Sequence, residues 1–123
     1  MARTALPIIA PLGSYPALPI TAGAATYVLT AADIVNNNSF VSTGRELLLI
    51  QNTAAGAGTV TVHSVADGLQ RVGDITTYSV PAAGFAVLGP FNKAGWVQTD
   101  GTIWVDGSAT TMLFAVIRLP SVA

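Results

Sequence analysis

The fold is decided by residues 46–52, Glu-Leu-Leu-Leu-Ile-Gln-Asn, together with residues 112–119, Met-Leu-Phe-Ala-Val-Ile-Arg-Leu. Successive side chains of a β-strand point to opposite faces of its sheet, so an unbroken apolar run places apolar side chains on both faces. Such a strand is central in its sheet or covered on both sides. These two segments therefore predict the middle of a β-domain.

Shorter strands are predicted around these two segments. Residues 59–65 alternate, with two valines on one face and Thr59, Thr61 and His63 on the other. Further strands are expected at residues 24–30, 75–80, 85–88, 96–99 and 102–105. About eight short strands, joined by Gly, Pro and Asp turns, predict an all-β fold, an antiparallel β-sandwich or jelly roll.

The connections between these strands carry their own predictions. Residues 30–35 are expected to include one helical turn, and the asparagine-rich residues 36–39 are expected to form a loop. Residues 54–58, Ala-Ala-Gly-Ala-Gly, are expected to form a hairpin loop between the strands on either side.

An Asp-Gly pair at residues 100–101 lies between two alternating runs, which is a strong signal for a two-residue type I′ hairpin. If Thr99 pairs with Thr102, the side chains of Trp96 and Trp104 project from opposite faces of the ribbon. One ring is then expected in the core. The other ring is then free to meet a second sheet or a second chain. Trp104 is taken as this second ring and as a candidate partner contact, because tryptophan is enriched at binding hot spots. Ordinary packing of both rings is the alternative.

Residues 1–22 differ from the rest of the chain in their proline content, with four prolines recurring every three to five residues. Proline fixes φ and removes a backbone donor, so an extended arm is expected rather than a helix or a central strand. Its apolar residues indicate that the arm lies on its own domain or on a neighbour. The predicted organisation is an arm over residues 1–22 and a β-sandwich domain over residues 23–123. The residues expected to bind a partner are Pro7, Ile8, Ile9, Pro11, Leu12, Tyr15, Pro16, Leu18, Pro19 and Trp104.

The composition limits the classes of partner. The 123 residues suit one domain, and only 9% of them are charged, with five Lys and Arg residues and a net charge of −1. This charge disfavours nucleic acid as a partner. The mean hydropathy is high, at +0.59, yet the longest apolar runs are far below the roughly 20 residues of a membrane-spanning helix. The favoured interpretation is that apolar surface is buried between chains.

Residues 1–22 do not read as a signal peptide, because prolines interrupt the apolar stretch. The chain is therefore expected to act where it is made, or in a particle assembled there.

Residues that carry chemistry are scarce. The absence of cysteine excludes disulfides, thiolate metal sites and cysteine nucleophiles. His63 is the only histidine. A catalytic triad would also need a serine and a carboxylate close to it, and the sequence contains no Gly-x-Ser-x-Gly motif to supply the serine. One histidine also leaves a zinc site short of ligands. We expect no enzymatic activity, no metal and no cofactor.

Two pairs of acidic residues were candidates for other chemistry. Asp67 and Asp74 could hold calcium, but their spacing matches no EF-hand loop and Arg71 competes for the carboxylates. An Arg–Asp pair that orders a long turn is the favoured interpretation. Asp100 and Asp106 could act as paired glycosidase carboxylates, but both lie at predicted turns, which already explain them.

The stretch from residue 46 to residue 120 resembles small structural proteins of tailed bacteriophages, especially capsid decoration (cement) proteins. The resemblance is carried by residues 47–53, 73–76, 89–91, 95–96 and 113–120. It implies a cysteine-free β-domain, without catalytic residues, that binds the outside of an icosahedral head, often as a trimer. The proline-rich arm also resembles the arms that such proteins lay over neighbouring subunits. The expected partners are the major capsid protein and two further copies in a homotrimer, and the expected location is the surface of a virion assembled in the host cytoplasm.

Two alternatives to capsid decoration stay open from the sequence. One is a tail, connector or head-fibre component of the same kind of particle. The other is a sandwich that binds carbohydrate or a host surface, which would need exposed coplanar aromatic rings with polar neighbours. The predicted placement of the two tryptophans on opposite faces counts against that second alternative.

Overall fold

The computed structural model describes residues 2–11, 26–66 and 73–120, which form ten strands and one short helix. The strands are β1 Thr4–Ala5, β2 Ile8–Ile9, β3 Thr30–Ala31, β4 Asn38–Val41, β5 Glu46–Asn52, β6 Gly58–Val62, β7 Ile75–Val80, β8 Phe85–Leu88, β9 Thr102–Gly107 and β10 Met112–Arg118. The helix, α1, is Lys93–Trp96.

The strands form two five-stranded sheets packed as a sandwich. The first sheet has the order β1-β4-β9-β6-β7. The second has the order β2-β10-β5-β8, with β3 pairing the same edge of β10 as β2 does. The eight strands β3 to β10 pair antiparallel throughout, in the orders β4-β9-β6-β7 and β3-β10-β5-β8. This is the strand order of a jelly roll, so the predicted fold class is confirmed.

The core lies between the two sheets and follows from the alternation of side chains. In β5 the buried positions alternate with half-buried ones, so Leu48 and Ile50 face the core while Leu49 faces outward. Val60 and Val62 of β6 are fully buried on the opposite sheet, as the period-two pattern predicted. The strands predicted at 46–52, 75–80 and 85–88 have the predicted bounds.

The hairpin loop predicted at residues 54–58 is wrong, because β5 and β6 belong to different sheets. The connection instead crosses the sandwich, and the side chain of Asn52 holds it. This fully buried amide donates to the backbone oxygens of Gly56 (2.9 Å), Val80 (3.1 Å) and Pro81 (3.2 Å). A small-residue loop has the same local sequence whether its two strands pair or separate, so only the non-local partners distinguish the two cases.

The region before β5 also departs from the prediction. Residues 26–29 form no strand, and Thr30–Ala31 is a strand instead of the start of a helical turn. The loop predicted at residues 36–39 is wrong for Asn38, which opens β4 and is completely buried. Its side-chain oxygen accepts from the Asp33 N–H at 2.8 Å, so an asparagine that suggested a surface loop instead supports a strand.

The predicted register around the Asp-Gly pair is wrong as well. Trp96 ends helix α1 and packs edge-on against Phe91, with ring centroids 5.2 Å apart. The turn itself exists: the Gly101 N–H donates to the Gln98 oxygen at 2.9 Å, and Gly101 has a φ of 83°. Asp100 keeps a negative φ, so this is not the predicted type I′ turn. The Gln98 N–H donates to the Thr102 oxygen at 2.8 Å, so the hairpin closes on Gln98 and not on Thr99. The ladder partners of β9 are β4 and β6.

Candidate interaction surfaces

The described part of the arm lies on its own domain. The Thr4 N–H donates to the Asn37 oxygen at 2.9 Å, and the Leu6 N–H donates to the Ser39 oxygen at 2.8 Å. Leu6 is buried in the core, between β1 on the first sheet and β2 on the second. The sequence left open whether the arm covers its own domain or a neighbour, and residues 3–9 cover their own.

The residues predicted to bind a partner fall into three groups. Pro7 and Pro11 are exposed, while Ile8 and Ile9 are half-buried in β2. Trp104 is half-buried on the outer face of the first sheet. The remaining predicted residues lie outside the described part of the chain: Leu12, Tyr15, Pro16, Leu18 and Pro19.

Trp104 is covered by other side chains of its own chain. Its strand neighbours Ile103 and Val105 face the core, so its own ring faces outward. The Arg3 guanidinium lies 4.6 Å from the centre of the Trp104 ring, in cation–π geometry. The His63 ring meets it edge-on, with centroids 6.3 Å apart. This arrangement does not leave the indole face open as a platform for a sugar or a base.

A polar cluster surrounds Trp104 on this face. The Asp106 carboxylate lies 2.5 Å from Arg3 Nη1 and 2.6 Å from His63 Nε2. The other nitrogen of His63, Nδ1, lies 3.6 Å from the carboxylate of Asp74. Asp74 in turn accepts from the backbone N–H of Ser64 (2.8 Å) and from its hydroxyl (2.7 Å). The cluster ties the arm, β6, β7 and β9 together.

The electrostatics of this cluster favour ionised carboxylates. Burial alone would raise the pKa of Asp106, but its hydrogen bonds to His63 and Arg3 outweigh burial and lower that pKa. The pKa of Asp74 is lowered chiefly by the Ser64 hydroxyl. Both acids therefore stay charged at neutral pH, next to cationic or hydrogen-bonding partners.

The cluster lacks the geometry of a nucleophilic triad. The Ser64 hydroxyl donates to Asp74 and not to His63, so the histidine is not placed to take its proton as in a triad. Both ring nitrogens of His63 face carboxylates. Among the described residues, no group of three His, Asp or Glu side chains is placed to hold a metal ion.

The other acidic candidates have local roles. Asp100 accepts from the backbone N–H and the hydroxyl of Thr102, at 3.1 and 2.6 Å, within its own turn. Asp106 is engaged by Arg3 and His63, so these two carboxylates have separate partners. Asp67 and Arg71, of the loop considered for calcium, lie outside the described residues.

A different surface, which the sequence did not indicate, is the apolar patch at the edge of the second sheet. It consists of Tyr27, Phe85 and Val87, which are 49%, 73% and 57% exposed and surround the same cavity, and we call it the β8 patch. Phe85 and Val87 point to the outer face of the sheet, because Ala86 and Leu88 pack against the core. The signal that could have found it is that all four residues of β8 are apolar.

The β8 patch borders a shallow cavity of about 260 Å³. The side chains that surround it are Tyr27, Leu29, Leu49, Gln51, Phe85 and Val87. Their polar groups are the Gln51 amide and the Tyr27 hydroxyl, and none of these side chains carries a charge at neutral pH. The adjoining outer face of the sheet is also apolar, since Leu49 pairs with Ala115 on one side and with Val87 on the other. The surface therefore suits an apolar macromolecular partner more than a charged small molecule.

Comparison of the chain with protein-family models, curated proteins and solved structures gives no match. Within residues 2–11, 26–66 and 73–120, no helix is long and apolar enough to cross a membrane. Function must therefore be inferred from the surfaces themselves.

Proposed function

We propose that this chain is a virion structural protein that binds the outer surface of a phage capsid and stabilises it, without enzymatic activity. The observation that carries the proposal is the β8 patch, an uncharged apolar surface on a compact jelly roll. The jelly-roll fold is compatible with this role but does not decide it, because capsid domains, lectins and cupins share it.

The architecture supports a role in cementing. Residues 3–9 bridge both sheets, and Arg3 and Leu6 anchor them on the surface and in the core. The result is one rigid block with apolar surface outside it, which can bind an assembled shell without rearranging. A protein that binds only the assembled shell stabilises that shell by mass action. Many copies on one particle add to this through avidity.

The partners in this proposal are the major capsid protein and other copies of the chain, as a homotrimer, on virions assembled in the host cytoplasm. Pro7 and Pro11 are exposed on the arm and stay candidates for the shell contact, together with the β8 patch. A tail or connector position would use the same surfaces. A carbohydrate-binding role is less well supported, because Arg3 and His63 cover the ring of Trp104.

The test is binding to DNA-filled heads that were assembled without this chain. We expect the purified protein to co-sediment with heads and to saturate at a fixed ratio to the major capsid protein. Bound heads should release DNA at a higher temperature than bare heads. Unassembled capsid protein serves as the control and should not bind. If the protein does not bind heads, or binds tails instead, the decoration proposal is wrong.

A further inference from the structure

Among the strands that the structure describes, the two sheets end in four edges, and three of these are protected against pairing with another chain. The strands β1, β2 and β3 at one side of the sandwich are each two residues long. Prolines at positions 7 and 11 flank β2 and cannot donate to a further strand. On the opposite side, β7 has a register shift against β6, and its Thr77 has a φ of 48°. Short strands, prolines and bulges are the means by which proteins block edge pairing.

The fourth edge, β8, is four residues long and is protected by neither a proline nor a bulge. It contains no charge and no proline, and it pairs with β5 in regular register over four residues. The Asn52 N–H donates to the Gly84 oxygen at 2.9 Å, which makes this a hydrogen-bonded pair of the ladder. In an antiparallel ladder such pairs alternate, so the backbone N–H and C=O groups of Phe85 and Val87 point away from β5, toward the open edge.

The same two residues also supply the exposed side chains of the β8 patch. The edge therefore combines free backbone donors and acceptors with apolar side chains, which is what strand addition requires. No residue of β8 or of the β8 patch is charged, so two copies of this surface do not repel each other. A surface without charge is complementary to itself.

We propose that β8 is an interface between copies of this chain, in which two β8 strands pair antiparallel across a two-fold axis at Ala86. Phe85 of one copy then lies opposite Val87 of the other, and both residues satisfy their outward backbone groups. The contact is isologous, because the same patch is used on both sides. This inference rests on the proposed function. To the homotrimer proposed there it adds a two-fold contact that links one oligomer to another. An icosahedral shell provides two-fold axes between its three-fold positions.

The size of the patch sets the expected strength. An aromatic side chain buries about 150–250 Å² when covered, and the patch has two aromatic residues and one valine. A stable dimer needs about 800 Å² from each partner. The β8 contact is smaller than that, so we expect association that reverses on dilution in solution and that becomes persistent when a shell holds many copies close together.

The first experiment measures the mass of the full-length protein by light scattering over a hundredfold range of concentration. We expect the mass to rise at least twofold from low to high concentration, because every copy in an oligomer offers its own β8 edge, and Val87→Lys to abolish this rise by placing a charge on the edge. Val87 is 57% exposed, so the variant should keep its melting temperature within a few degrees. The matched control is Thr76→Lys, on the edge strand of the other sheet, which should behave like the wild type.

The second experiment tests the register and uses the absence of cysteine from the natural chain. Directly opposed residues of a hydrogen-bonded pair have Cα atoms about 5.5 Å apart, within the 4.4–6.8 Å that a disulfide spans. A mixture of Phe85→Cys and Val87→Cys proteins should therefore form a mixed disulfide under mild oxidation. Each variant alone should crosslink at least tenfold more slowly, because identical residues are diagonal across the axis. Ser79→Cys on β7 is the control.

The inference is wrong if the wild-type mass does not change with concentration, if Val87→Lys leaves that change intact, or if the mixed disulfide forms no faster than the two homodisulfides. All of these outcomes are measured on the protein without heads, so binding of the wild-type protein to heads stays a separate test of the proposed function, whichever surface meets the shell. Binding to heads without any effect of Val87→Lys on solution mass would keep the proposed function and remove the β8 interface.

Discussion

Arg3 and Asp106 form an ion pair, with 2.5 Å between Nη1 and Oδ1, that joins the arm to β9. The same guanidinium donates to the Asn38 oxygen at 3.1 Å and lies over the ring of Trp104. Three separate interactions thus converge on one side chain near the N-terminus. The arm is held to the sandwich by charge and stacking as well as by the burial of Leu6.

Arg3→Ala should destabilise the domain by about 1–3 kcal/mol, because it removes charge-assisted hydrogen bonds and a cation–π contact. Urea denaturation at neutral pH measures the change. Arg3→Lys is the matched control: it keeps the charge but loses the planar fork, so its loss should be intermediate. An unchanged urea midpoint for Arg3→Ala would show that the ion pair contributes nothing to stability.

Glu46 makes the stability of the domain depend on acid pH. Burial would raise the pKa of this carboxyl, but hydrogen bonds from Arg118 and Thr43 prevail and lower it from 4.5 to about 2. A carboxyl whose pKa is lower in the folded state stabilises the fold above its unfolded pKa. That contribution, on the order of 3 kcal/mol, is present above pH 4.5 and is lost as the pH falls toward 2.

Glu46→Gln should therefore be less stable than the wild type at pH 7 and should converge with it near pH 2. Urea midpoints measured at several pH values between 2 and 7 give the two curves. Thr53→Ala is the control, because it changes an exposed side chain without a titrating group, and its curve should run parallel to that of the wild type. Parallel curves for Glu46→Gln and the wild type would contradict the role of Glu46.

Much of the fold could be predicted because a strand that packs against a core leaves a local pattern. Residues 46–52 contain an apolar run and residues 59–62 alternate. In both strands of the structure, every second side chain is buried. The arm strands β1 and β2 could not be predicted, because a strand of two residues shows no period. The crossing of the chain between sheets after Asn52 is set by which strands pair, and pairing depends on residues far away in the sequence.

The candidate surfaces were harder to predict for the same reason. Trp104 lies on the outer face of its sheet, but its cover comes from Arg3, about a hundred residues earlier. Such a contact leaves no trace in the residues near either partner. The β8 patch has a local signal, an apolar strand without alternation, but the same signal in β5 marks a central strand. Only the sheet order distinguishes an edge from a centre.

Asn52 is the polar residue that holds two of the connections between the sheets, the one after β5 and the one after β7. Its amide donates to three backbone oxygens in the buried interior. Asn52→Asp replaces these donors with oxygens that face the three carbonyls, so we expect a loss of about 3 kcal/mol or more. Urea unfolding measures the loss. Gln51→Glu is the control on the neighbouring outward position, and its effect should be below about 1 kcal/mol. A small effect of Asn52→Asp would mean that the loops rearrange around it.

Gly101 offers a test of backbone conformation that is free of packing effects. Its φ of 83° lies in the left-handed region, and no atom lies within 4 Å of the place where a Cβ would stand. Gly56 has the same open space without a positive φ. Gly101→Val should therefore cost about 1–2 kcal/mol through backbone strain alone, while Gly56→Val should be nearly neutral. Melting temperatures of the two variants make the comparison. Equal melting temperatures would show that the turn at residues 98–101 can adopt another conformation, in which residue 101 has a negative φ.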